Sequence, residues 1–290
     1  MINLIGSIVL TSWLTLSFKW VEQLGLNRFQ AIVFNYLFCV ITGSIVNGHV
    51  PNYSTNIHTS WFGWACLMGT VFISLFNVIG VTAQRISVAV ASVANKLSLV
   101  IPFIFSIYLY NEQVGWLKIS GIIIALLAVV LTCLPSNKEQ VHSNQKLLYI
   151  LPVVLFIGSG LLDTMIKYVE HSFLEPENVN EYLITAFSMA AAIGLVTLSV
   201  LLICGRQQLN WKPVAIGAAI GIPNYFSIWC LMRVLKNFPN NSSAIIPINN
   251  MGIVLFSAVM AWLIFKEKLS FINWIGILLS LAAIALIAYG

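Results

Sequence analysis

Ten stretches of about twenty mostly apolar residues, joined by connections too short to fold on their own, run almost end to end through this chain. In a hydrocarbon layer about 30 Å thick, a helix of roughly twenty residues reaches from face to face and satisfies its own backbone N–H and C=O groups. A succession of such runs is therefore a set of membrane helices. They fall near 2–21, 28–46, 61–83, 88–110, 115–134, 146–168, 181–204, 212–235, 243–265 and 271–289. Only 8% of the 290 residues are charged and 59% are hydrophobic, where an ordinary soluble domain carries roughly 25% charged residues. The fold class expected is all-α integral membrane. The surplus of cations, a net charge of +5, sits mainly between the apolar runs and bears on orientation, so no nucleic-acid partner is expected.

The sequence also repeats itself. Laid without gaps over 242–287, residues 87–132 pair Ser87 with Ser242, Ala89 with Ala244, Asn95 with Asn250, Glu112 with Glu267, Gly121 with Gly276 and Leu126 with Leu281. At a slightly different shift Lys19 matches Lys167 and Arg85 matches Arg233. The expected organisation is two five-helix repeats, 1–138 and 139–290. An odd number of spans per repeat sends the second into the membrane from the opposite side. Repeats inverted in this way are how many secondary transporters obtain two facing states around a midplane site.

Polar groups inside the apolar runs are the candidate site residues. Lys96 stands beside Asn95 in a run that closes at Asn111 and Glu112, with Pro102 expected to bend it. A lysine at membrane depth is expensive and faces a wet cavity or a partner. The functional reading is that Lys96 receives an anionic group of substrate; the structural one is a pair with a carboxylate, for which Asp163 is the obvious choice. Asp163 itself is a possible proton carrier, or a partner of Lys167 one turn on. Asn77 continues a polar stripe with Thr70, Ser74 and Gln84, and Asn249 and Asn250 form another with Ser243 and Ser257. Such residues either meet substrate or hydrogen-bond a neighbouring helix. Trp13, and Tyr225 with Trp229 four residues later, are aromatic pocket candidates. Trp61, Trp64, Trp116, Trp211, Trp262 and Trp274 lie near span ends and suit an interfacial belt.

Other features take structural readings. Gly217 and Gly221, beside Pro223 and Asn224, suggest a close helix contact and a local break. Glu112 and Glu267 suit the starts of the helices that follow them. The cysteines Cys39, Cys66, Cys133, Cys204 and Cys230 have no metal-ligand spacing, and the four histidines lie in connections. No metal and no cofactor is expected. Without a nucleophile elbow, a phosphate loop or an HExxH pair, a catalytic site is not expected either.

One pattern occurs twice: a helix ending in AQR or LMR, a Ser/Ala-rich turn, a helix ending in NEQ or KEK, and a final glycine-containing helix. It resembles the EamA-type branch of the drug/metabolite transporter superfamily over essentially the whole chain. The resemblance implies a ten-helix, inverted-repeat carrier whose central cavity is lined mostly by helices 1, 3, 4, 6, 8 and 9, with helices 5 and 10 peripheral or dimer-facing. It implies a small-molecule substrate, membrane lipids as surroundings, and a multi-pass place in the cell membrane as monomer or homodimer. Amino acids or related compounds are the first expectation for substrate. The alternatives are an organophosphate or nucleotide-sugar exchanger and, outside transport, a lipid-modifying membrane enzyme.

Two departures stand out. Pro102 has Ser257 as its equivalent, with Pro247 displaced, so the two helices are expected to bend at different depths. His49, Pro51 and Asn52 replace a basic loop. Lys19, Arg28, Arg85, Lys138, Lys146, Arg206, Lys212, Lys266 and Lys268, assigned to the connections after helices 1, 3, 5, 7 and 9, outweigh Lys118, Lys167, Arg233 and Lys236 in the others and favour both termini outside, whereas the resemblance implies both in the cytoplasm.

Overall fold

The computed structural model describes residues 2–51, 53–85, 94–95, 98–110, 115–133, 150–238, 242–265 and 270–289. Among these residues there are ten long helices and no strand. They are α1 (Ile2–Gln23), α2 (Arg28–Asn47), α3 (Phe62–Arg85), α4 (Val100–Tyr110), α5 (Trp116–Cys133), α6 (Ile150–Phe173), α7 (Val179–Ile203), α8 (Trp211–Asn237), α9 (Ser242–Phe265) and α10 (Phe271–Tyr289). A single helical turn at Tyr53–Asn56 lies between α2 and α3. Six of them, α2, α3, α6, α7, α8 and α9, are long and apolar enough to cross a membrane, and the other four carry shorter apolar runs. This is an all-helical integral membrane fold.

Local chemistry sets the helix ends. Asn27 caps α2 by accepting from the Gln30 N–H at 3.1 Å, the usual remedy for the first turn's unpaired amides. Gly48 closes α2 with φ 78° and its N–H on the Ile45 carbonyl, a left-handed turn that glycine adopts without steric cost. At the start of α10, Ser270 Oγ accepts from the Asn273 N–H at 3.2 Å while Asn273 Oδ1 accepts from the Ser270 N–H at 2.8 Å. This is a reciprocal cap. Asn273 Nδ2 also donates to the Leu131 carbonyl of α5 at 3.0 Å, tying two helices together.

Prolines behave differently from the sequence expectation. The described helix α4 starts at Val100, so Pro102 occupies its first turn, where a missing N–H costs little. The Ser98 carbonyl accepts instead from the Ile101 N–H at 2.9 Å. The upstream part of the expected 88–110 run lies outside the described residues except for Ala94 and Asn95. Pro223 does not break α8, which continues through it to Asn237.

The chain forms two compact units, Met1–Asn77 with Tyr168–Lys236, and Val78–Lys167 with Asn237–Gly290. In the first, α2 runs antiparallel to α7, with Gly194 against Val33 and Gly43 against Ile184. Glycines remove the side chains that would hold these helices apart: a Cβ on Gly69 would meet the Ala186 carbonyl, and one on Gly217 would meet Phe34. Tyr36, Phe72 and Phe187 stack in the space between, Phe72 and Phe187 with ring centroids 5.6 Å apart. In the second unit α5 runs antiparallel to α10, with Gly121 against Ile287 at one end and Leu131 beside Asn273 at the other. Leu99, Phe103, Met251 and Val254 join α4 and α9 to that pair. Ile123, Leu127, Leu278 and Leu281 stay exposed on the outer faces of α5 and α10, as lipid-facing positions do.

Three residues depart from their expected settings. Lys167 and Lys118 are buried inside α6 and α5 rather than in connections, so neither counts toward loop charge. Trp61 is buried against Tyr182, ring centroids 6.1 Å apart, and is a core residue rather than part of a belt. Trp116 and Trp211 are 86% and 80% exposed, as a belt position requires.

A Cβ on Gly121 would lie 2.7 Å from Ile287, whereas one on Gly63 would meet nothing within 4 Å. Gly121→Val is expected to destabilise the fold by about 1–3 kcal/mol through overpacking, and Gly63→Ala to leave it unchanged or slightly raised. Thermal unfolding of the purified variants in detergent measures both.

Candidate functional site

Polar groups gather around Pro223 in the first unit. Lacking an N–H, Pro223 leaves the Ala219 carbonyl, one turn back, without its helical donor. Trp13 of α1 supplies one: its Nε1 donates to Ala219 O at 3.0 Å. The ring that the sequence suggested for solute stacking is thus anchored by its N–H, half-buried, and edge-on to Trp20 at 5.2 Å. Two residues further along, the Gly221 carbonyl accepts from Cys39 Sγ at 3.2 Å, a contact permitted by close approach at Gly221. Asn224 Nδ2 donates to Asn35 Oδ1 at 3.1 Å, both side chains being buried near the middle of their helices. Asn35 Nδ2 has no hydrogen-bond partner among the described residues.

The next turns of α8 carry Tyr225, Trp229 and Arg233 at helical spacing on one face. Burial is graded along it: Tyr225 is buried, Trp229 half-buried and Arg233 exposed. Asn180, in the first turn of α7, joins the two aromatics, its Oδ1 accepting from Trp229 Nε1 at 2.8 Å and from Tyr225 OH at 3.4 Å. Expected from the sequence as a pair, Tyr225 and Trp229 are brought together by this one amide. Arg233 lays its guanidinium over the Trp229 ring, 4.2 Å from the centroid.

The second unit holds a carboxylate at membrane depth. Asp163 sits half-buried in the middle of α6, and Asn250 Nδ2 of α9 donates to its Oδ2 at 3.0 Å. Asn249 is buried beside it in sequence, with Oδ1 unpartnered among the described residues. Asn95 is half-buried, and its carbonyl accepts from Ser98 Oγ at 2.5 Å. Lys96 lies outside the described residues, as do Glu112 and Glu267.

The polar stripe of α3 has a third solution besides water or a neighbouring helix. Thr70 donates to the Cys66 carbonyl at 2.9 Å, Ser74 to Thr70 at 2.7 Å and Asn77 to Ile73 at 2.7 Å. Side chains that bond their own helix in this way need no cavity. Asn35 and Asn180 were not singled out from the sequence. Asn35 is one asparagine in an apolar run, a signal that was present; Asn180 sits in an acidic connection-like stretch, which hid it.

Comparison with known proteins adds a family and a fold. Residues 146–289 match the EamA-like transporter family. A Haemophilus influenzae protein described as uncharacterized is 24% identical over 294 aligned positions, covering 99% of this chain and 97% of its own length. A solved structure, titled only as a crystal structure of a protein, superposes with a TM-score of 0.70 at 12% identity, over 98% of this chain and 94% of that one. That likeness is one of fold.

If the indole of Trp13 answers the carbonyl freed by Pro223, Trp13→Phe costs about 1–2 kcal/mol of stability. Made on top of Pro223→Ala, which restores a backbone donor, the same change costs much less. A double-mutant cycle in thermal or denaturant unfolding measures the difference.

Proposed function

We infer, for a chain that belongs to the EamA-like transporter family, part of the drug/metabolite transporter superfamily, that it is a secondary transporter carrying a small polar metabolite by alternating access. Amino acids or closely related compounds are the substrate class put forward. The observation that carries this is the Asp163 carboxylate, held in mid-helix by the Asn250 amide at 3.0 Å. An ionised group at that depth is costly to keep and marks a solute or proton path in membrane proteins. A carboxylate oriented by an amide donor offers acceptor oxygens that suit a primary ammonium. Lys96 remains our candidate for the substrate's carboxylate. Together they describe a zwitterion.

Repeat organisation supports the transport cycle. α2 with α7 and α5 with α10 occupy equivalent places in the halves 1–138 and 139–290, and each pair packs antiparallel. Inverted halves bring equivalent helices together in that sense. The setting proposed is the cell membrane, with the protein acting as monomer or homodimer.

Counterflow in proteoliposomes tests this, with labelled amino acids, nucleotide sugars and phosphorylated sugars offered in parallel. Amino-acid counterflow is expected. Asp163→Asn keeps an oxygen for Asn250 but removes the charge, so it is expected to lower uptake by roughly tenfold to a hundredfold, the equivalent of a charged hydrogen bond. Unchanged uptake in that variant would remove Asp163 from the site. Counterflow of phosphorylated compounds alone would replace the amino-acid assignment with an organophosphate exchanger.

A further inference from the structure

We propose that Arg233 is an oxyanion-recognition residue, a binding site for a carboxylate or phosphate built from Arg233, Trp229 and Asn180 on the α7–α8 pair. The proposal rests on the reading of the chain as a solute carrier only for its biological use; the site itself stands on local geometry. Arginine's guanidinium is planar and offers paired N–H donors that match the two oxygens of a carboxylate or phosphate. Its long stem costs entropy to hold, so a useful arginine is one that its surroundings already orient.

Here the orientation is visible. The guanidinium carbon lies 4.2 Å from the Trp229 ring centroid, within the range of a cation–π contact. The ring in turn is fixed, because Trp229 Nε1 donates to Asn180 Oδ1 at 2.8 Å. A cation–π contact draws on the guanidinium's charge and does not consume its N–H donors. Arg233 is exposed, and no carboxylate pairs with it among the described residues.

Neighbouring charges are otherwise engaged. Lys236, three residues on, lies 3.9 Å from the buried Glu170 and donates to the Leu174 carbonyl. Glu181, next to Asn180, lies 4.0 Å from His49. Arg233 is thus the cation on this face presented for an incoming anion, at the exposed end of a ladder whose inner rungs are Trp229 and Tyr225.

Two sources could supply the oxyanion: a solute, or a lipid headgroup phosphate meeting an arginine near the end of its helix. The test separates them. Thermal unfolding of the purified full-length protein in detergent is followed while inorganic phosphate, alanine or alaninamide is titrated in. It is repeated in phosphatidylcholine nanodiscs with and without phosphatidylglycerol.

Phosphate or alanine is expected to raise the transition temperature and alaninamide not to do so. Arg233→Gln is expected to raise the half-saturating concentration by at least about tenfold, the loss of one charge-assisted contact. Arg233→Lys keeps the charge but not the planar fork and is expected to fall between; it also serves if Arg233→Gln does not fold. Asn180→Ala, which releases the Trp229 ring, is expected to weaken binding with Arg233 intact.

A shift seen only with phosphatidylglycerol, and lost in the Arg233 variants, supports the site with lipid as its ligand. Equal responses from wild type and both Arg233 variants, or no response of the wild type to any oxyanion, would overturn the proposal. Binding through Arg233 without any counterflow would overturn the transport reading and leave this site standing.

Discussion

A carbonyl stripped of its donor inside an apolar helix must find another, and around Pro223 that requirement shapes the first unit. The Ala219 oxygen draws in Trp13 of α1. One turn of α8 also offers the Gly221 carbonyl to Cys39 and the Asn224 amide to Asn35, both on α2. Further along, Tyr225 and Trp229 both reach Asn180 on α7. Apolar packing alone distinguishes poorly between helix surfaces in lipid, since the tails are as apolar as leucine. Directional bonds to α8 select which faces of α1, α2 and α7 meet it, and the glycines at 217 and 221 let α2 come near enough to make them.

In each unit a carboxylate of α6 is held by a partner on another helix. Glu170 is almost wholly buried and is answered by a cation, Lys236, whose ammonium also takes up the Leu174 carbonyl just past the end of α6. Removing Lys236 would weaken the neutralisation of a buried carboxylate, which gives the pair a structural part. Asn250 meets Asp163 with a neutral dipole. That contact orients the carboxylate, and a carboxylate fixed in mid-helix can act on whatever enters.

Length and hydropathy disclosed the helices, because a run of apolar residues has one backbone solution in lipid. Spacing disclosed that Tyr225 and Trp229 share a face and that Gly217 and Gly221 mark a close contact. What spacing could not disclose was where each polar tip ends. Asn180 looked like part of a connection, yet it is the acceptor that unites the aromatic pair. Trp61 lay at a span end, as belt residues do, but Tyr182 covers it. Thr70, Ser74 and Asn77 formed the clearest polar stripe and turn out to bond their own helix. Lys118 and Lys167 read as loop charges because a residue's depth depends on how far the helix runs, and α6 continues to Phe173. Pro102, expected in mid-helix, falls in a first turn because α4 begins at Val100 among the described residues.

The pairing of α5 with α10 has a consequence for how the chain is made. Gly121 is translated long before Ile287, the side chain that fills the hollow it leaves. The surface of α2 likewise emerges well ahead of α7. During synthesis these helices enter the bilayer before the partners that fill their shaped faces. The first unit can therefore close only once α8 has been made, and the second only once α10 has. A nascent chain stalled between its halves would be a substrate for membrane quality control rather than a half-folded protein.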